Sequence, residues 1–146
     1  MAWWDTYCLA KLYAPEADSA VFKASVVNGA TVVTCEIARM ELWATLCRKE
    51  AEGDLGAGVA RKALEAYDAD VSTGQIAVEA MDASVAAEYE TIIERFHGQA
   101  PALPLRTLDA IHLASAKVSG ESEVIATDKR LREAALVLDF SVYPPV

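Results

Sequence analysis

The chain has 146 residues, 53% of them hydrophobic, and 13 Lys and Arg against 22 Asp and Glu leave a formal charge of −9. The length suits a single domain over residues 1–146, and so large an apolar fraction excludes a disordered chain, because burial can offset the entropy of ordering it. The acidic balance is the reverse of the basic footprint by which proteins usually hold nucleic acid, so any such function needs a local explanation.

Ala2–Trp4 reads as a first strand ending in Asp5, a carboxylate that breaks the apolar start far short of the roughly 18 residues of a membrane span. With no basic leader before it, a soluble cytoplasmic protein is expected. Thr6–Tyr13 has helical spacing and closes at Pro15, and Glu16–Val27 is a second short helix stopped by Asn28 and Gly29. Thr31–Val33 is a β-branched run, after which Thr34 is placed as the N-cap of a long helix from Cys35 to Glu52, ended by Gly53. Leu55–Tyr67 is helical, Gln75–Val78 a weak strand, and Ala83–Phe96 a helix with Val85, Tyr89, Ile92, Ile93 and Phe96 on one face. Pro101 and Pro104 mark an ordered loop. Thr107–Val118 is a small-residue-rich helix carrying Asp109, and Val124–Thr127 is a buried-type strand leading to Asp128. Leu131–Leu138 is a last helix before a terminal strand, Phe140–Tyr143. Strands separated by helices imply an α/β fold with parallel pairing and right-handed crossovers. Cys8, Cys35 and Cys47 are odd in number and lack a CxxC, so they read as small buried residues. The apolar settings of Trp3, Trp4 and Trp43 favour core packing or a subunit interface.

In an open parallel sheet ligands gather beyond the carboxyl ends of the strands, where Asp5 and Asp128 are placed. Each also precedes a helix, so the plain alternative for both is an N-cap. Glu41 emerges from a stripe of Ile37, Ala38, Ala44 and Thr45, a setting that demands a counter-ion, a proton or a metal unless the side chain snorkels to the helix edge. Asp109 lies among Leu105, Ala110, Ile111 and Leu113, with compensation of the helix dipole as its alternative role. Together the four offer an all-oxygen ligand set of the kind that Mg²⁺ or Mn²⁺ selects. Brought close, they repel unless a cation joins them or their pKa values rise.

Four segments carry these acids: DTYCLAKLY (Asp5–Tyr13), RMELWA (Arg39–Ala44), LRTLDAIHLASA (Leu105–Ala116) and IATDKRL (Ile125–Leu131). They resemble the four acidic motifs of the PIN-domain ribonucleases, in particular the VapC toxins of VapBC toxin–antitoxin modules. The resemblance implies an RNase H-like parallel sheet of four to five strands flanked by helices, a Mg²⁺ or Mn²⁺ cofactor, and hydrolysis of RNA phosphodiesters. It makes Asp5, Glu41, Asp109 and Asp128 the metal-holding catalytic residues, with Thr6 and Thr127 in support. It further implies a cognate VapB-type antitoxin and a homodimer. Arg39 and Arg106 are candidate contacts to RNA phosphates, against a default role in surface ion pairs. His112, on the Asp109 helix face, is read as a packed histidine outside the catalytic set. The chain departs from the usual pattern at Tyr7 and Cys35, where Ser is common, and in an extra acid, Glu36.

Two readings compete. A strand-end Asp5-Thr6 with a later Thr and Lys129 loosely suggests phosphoryl transfer through an aspartyl-phosphate, but such enzymes want further acids that are missing, and Tyr7 stands where one would lie. The other is a catalytically silent PIN-fold binding module whose acidic groove receives a basic partner peptide. The charge favours it, while the survival of all four acids favours a working site.

Overall fold

A computed structural model describes residues 1–29 and 31–145. The elements run β1 (Ala2–Trp4), α1 (Thr6–Tyr13), α2 (Ser19–Val27), β2 (Val32–Cys35), α3 (Ile37–Ala51), α4 (Val59–Ser72) and β3 (Ile76–Glu79). They continue with α5 (Ala83–His97), α6 (Thr107–Val118), β4 (Glu123–Ile125), α7 (Lys129–Val137) and β5 (Ser141–Tyr143). The five strands form one sheet in the order β3-β2-β1-β4-β5, with every neighbouring pair parallel. The expected α/β architecture is therefore present, at the upper end of the expected strand count.

Every residue of β1 and β2 is buried, as central strands covered on both faces require. Side chains alternate across a strand, so Trp3 and Trp4 serve opposite faces. Trp3 meets His112 of α6 edge-on at 6.1 Å between ring centroids, and Trp4 meets Phe22 of α2 at the same separation. Both indoles belong to the core. Trp43 is only partly buried and lies under the Arg61 guanidinium, 4.3 Å from its ring centroid. All three cysteines are free; Cys8 and Cys35 are buried and Cys47 half-buried.

The strand order has a direct consequence for the site. From β1 the chain steps outward through β2 and β3, then returns to the other side of β1 for β4 and β5. The direction of progress reverses between β1 and β4, and the loops leaving their carboxyl ends part to leave a crevice. Trp4 pairs with Ile125, and the Asp5 N–H donates to the Ile125 carbonyl at 3.0 Å, so the segments carrying Asp5 and Asp128 leave the sheet side by side.

Several boundaries differ from the sequence reading. Thr34 does not cap a helix: it is the third residue of β2, and its hydroxyl donates to the Trp4 carbonyl at 3.0 Å, tying the ends of two central strands together. The second helix begins at Ser19 instead of Glu16, because Glu16 and Asp18 are drawn onto Lys11 at 2.5 and 2.7 Å, and Glu16 also pairs with Lys49. The helix expected at Leu55–Tyr67 is displaced to Val59–Ser72, since Gly58, at φ 80°, holds the chain left-handed just before it. Among the described residues no helix is long and apolar enough to cross a membrane.

Thr34→Val removes the strand-to-strand hydrogen bond while keeping the shape of the side chain. It is expected to cost about 1 kcal/mol in urea unfolding, with Thr34→Ser recovering most of it. Equal stability of Thr34→Val and the parent would show that the bond contributes nothing.

Candidate active site

Each acid is placed by a local rule of chain geometry. Asp5 and Asp128 are both N-caps: Asp5 Oδ1 accepts from the Tyr7 N–H and Asp128 Oδ1 from the Leu131 N–H, each at 3.0 Å. The plain alternative is thus correct for one oxygen of each carboxylate and leaves the second oxygen of each outside the cap. In Asp5 that second oxygen, Oδ2, is buried and has no hydrogen-bond partner. Asp109 lies in the first turn of α6, half-buried, with the Arg106 Nε 3.9 Å from its Oδ2.

Glu41 is held by two other motifs. Its Oε1 accepts from the Thr6 hydroxyl at 2.9 Å and lies 2.6 Å from His112 Nε2. His112 is buried, with Nδ1 3.6 Å from Cys35 Sγ. Thr6 from the first acidic motif, Glu41 from the second and His112 from the third therefore meet at one carboxylate oxygen. His112 is the residue that sequence reasoning left out. It packs against Trp3 as expected of a core histidine, but it also answers the demand for a counter-ion that the apolar stripe around Glu41 had already signalled.

The carboxylates act on one another. Burial raises Asp5 from 3.8 to about 6; His112 and the Tyr7 N–H oppose the rise, while Glu41 and Asp109 add to it. Burial likewise raises Asp109, reinforced by Asp128 and opposed by Arg106. Burial would raise Glu41 too, but the hydrogen bond and charge of His112, with the Thr6 hydroxyl, hold it below its ordinary range. Burial disfavours the charged form of His112, yet its contacts with Cys35 and Glu41 lift it above the ordinary imidazole value. His112 thus offsets part of the negative charge at Asp5, Glu41 and Asp109.

The supporting candidates separate. Thr127 is exposed beside Asp128, its hydroxyl 4.0 Å from Cys8 Sγ. Arg106 flanks Asp109, whereas the Arg39 guanidinium closes on Asp68 of α4 with two bonds of 2.8 Å. Glu36 accepts from the Met81 N–H at 2.9 Å and is exposed.

The family model of the PIN domain matches residues 4–137. The chain belongs to the PIN domain family. No curated protein sequence gives a significant match. Among solved structures this PIN domain is similar to VapC20 of Mycobacterium tuberculosis, described as a sarcin-ricin loop cleaving toxin. The two share 22% identity and a TM-score of 0.67 over 92% of this chain and 95% of that one. FitAcB from Neisseria gonorrhoeae is similar at 21% identity and a TM-score of 0.64 over 99% and 97% of the two chains. A toxin-antitoxin complex from Klebsiella pneumoniae gives 16% and 0.60 over 90% of each chain. At these identities the likeness shows a shared fold.

Among the described residues of this PIN domain, no group of three or more His, Cys, Asp or Glu side chains is gathered closely enough to hold a metal ion as it stands. The donor chemistry nevertheless fits a hard divalent cation: the four acids of the motifs are carboxylates, and the buried, unpartnered Asp5 Oδ2 is an open acceptor among them. Mg²⁺ commonly keeps several waters and takes only one or two carboxylates, so it does not require a closed protein cage.

Asp5 gives a pH test of this electrostatic picture. A carboxyl raised in the folded state binds its proton more tightly there than in the unfolded chain. The stability it contributes is present below its ordinary value of 3.8 and lost as pH rises through about 6. In EDTA at about pH 8, Asp5→Asn, which keeps a capping oxygen, is expected to be more stable than the parent by up to about 3 kcal/mol. Denaturation across pH checks the sign, because the advantage should vanish below about pH 4; an advantage that ignores pH would contradict a charged, desolvated Asp5.

Proposed function

We propose that this PIN domain is an endoribonuclease that depends on Mg²⁺ or Mn²⁺, built as a single domain over residues 1–146, and that it is the toxin of a toxin–antitoxin pair. The observation that carries the proposal is the meeting of the four acidic motifs at the reversal point of the sheet, with Asp5 Oδ2 buried and unpartnered there. A crevice of like charges is costly to maintain, and a site that binds a cation and a phosphodiester gives that cost a use.

Asp5, Glu41, Asp109 and Asp128 are the residues that would hold the ion. A divalent cation, when bound, lowers the pKa of water and offsets charge on the phosphoryl oxygens. The protein's own groups do the positioning. The caps made by Asp5 and Asp128 fix each carboxylate at a helix start, so that neither swings away from the crevice. Thr6 and His112 hold Glu41 in one rotamer and keep it ionised at neutral pH. Arg106, exposed beside Asp109, would meet a phosphate of the RNA on this reading, whereas Arg39 is already engaged by Asp68.

The toxin assignment is supported by the structural neighbours, one described as a cleaving toxin and another as a toxin-antitoxin complex. A VapB-type antitoxin that carries an Arg toward the acids would find a carboxylate pair for bidentate contact, and the charge of −9 favours such a basic segment. A homodimer in the cytoplasm completes this reading.

The test is cleavage of structured and unstructured RNA by the purified protein in Mg²⁺, in Mn²⁺ and in EDTA. Metal-dependent cleavage is expected, with Asp5→Asn and Asp109→Asn each lowering kcat by about a hundredfold or more. RNA left intact in every condition, together with no divalent-ion binding by calorimetry, would favour the non-catalytic module that receives a basic peptide.

A further inference from the structure

Helix α1 is buried or half-buried along its whole length except at one position. Thr6, Cys8, Leu9, Ala10 and Lys11 are buried, Leu12 and Tyr13 partly so, and Tyr7 stands out at 51% exposure. Its phenol makes no hydrogen bond to another described residue. Tyr7 follows Asp5 by two positions, and its backbone N–H is the group that Asp5 Oδ1 accepts from. That bond sets the Tyr7 backbone two residues beyond Asp5, and its exposed side chain lies beside the acidic crevice. Tyr7 lines a cleft of about 240 Å³ together with Thr127 and Asp128, from the turn between β4 and α7, and with Lys11 and Glu16. The Lys11 ammonium is already bonded to Glu16 and Asp18, and Glu16 also to Lys49, so these charges are paired among themselves and the exposed Tyr7 ring is the aromatic part of the lining.

We propose that this cleft is a nucleobase subsite, in which the Tyr7 ring stacks the base of the nucleotide next to the phosphate held at the acids. The inference rests on the nuclease reading and extends it by naming a residue that sets substrate affinity. An aromatic face beside a phosphate site suits single-stranded RNA, whose unstacked bases are free to be splayed onto side chains. A paired base would have to leave its helix first. Stacking requires no hydrogen-bond code, so the subsite accepts any base and favours unpaired segments.

The experiment uses short single-stranded RNAs with one 2-aminopurine placed at successive positions, bound in Mg²⁺ to the full chain carrying Asp109→Asn to block turnover. Fluorescence is expected to be quenched at one position beside the cut, and Tyr7→Ser should abolish that quench. In the otherwise native chain Tyr7→Ser should raise KM by about tenfold to a hundredfold, with kcat and the metal-titration midpoint held, and Tyr7→Phe should restore the low KM. A Tyr7→Ser chain that quenches and cleaves like the parent would overturn the subsite while leaving the nuclease standing. So would a loss of kcat in step with a lowered Tm, which would mark Tyr7 as a support of α1. If the parent chain neither cleaves nor binds these RNAs, the nuclease reading itself fails, and the subsite with it.

Discussion

Like charges confined in a partly desolvated crevice repel, and the arrangement of this molecule follows from containing that repulsion. Three devices share the task. Helix starts take one oxygen of Asp5 and of Asp128, spreading charge into backbone N–H groups. A buried histidine faces Glu41. Burial raises Asp5 and Asp109, so part of the charge is withdrawn as pH falls. None of the three satisfies Asp5 Oδ2, which is left buried and without a partner.

The same constraint explains why the center of the sheet looks as it does. Trp3 of β1 stands against His112, Cys35 of β2 lies on its Nδ1 side, and Glu41 and Thr6 lie on its Nε2 side. An imidazole so enclosed has few rotamers available, and the orientation of Glu41 is inherited from it. The hydrogen bond from Thr34 to the Trp4 carbonyl holds β1 and β2 in the register that this enclosure needs. Core packing and site geometry are thus the same set of contacts viewed from two directions.

Much of this was legible in the residue order. The β1 run, the helix at Thr6–Tyr13, the parallel α/β class and the association of Asp5 and Asp128 with strand ends all follow from local pattern, and local pattern survives into the structure where burial agrees with it. The misplaced boundaries have non-local causes. Thr34 has the chemistry of an N-cap, yet pairing of β2 with β1 and β3 extends the strand through Cys35 and turns its hydroxyl to Trp4. Glu16 has the chemistry of a first helical turn, yet two lysines from different helices claim its carboxylate. His112 was read as packing because spacing along one helix cannot show that a carboxylate 71 positions earlier meets it. The unmet need of Glu41 for a counter-ion was visible, and only its partner was not.

The acidic balance also acquires a local meaning. Lys11 and Lys49 are spent on Glu16 and Asp18, Arg39 on Asp68, and Lys117 on Glu88. Basic groups tied up in this way offer little to a phosphate backbone, since breaking an ion pair to form another gains almost nothing in water. On the proposed nuclease reading, attraction for RNA would draw on the crevice itself, on a cation held there, on Arg106 at its edge and on the exposed ring of Tyr7. On that same reading, a net charge of −9 would repel nucleic acid that is not aligned with the crevice, so affinity and alignment would become one requirement.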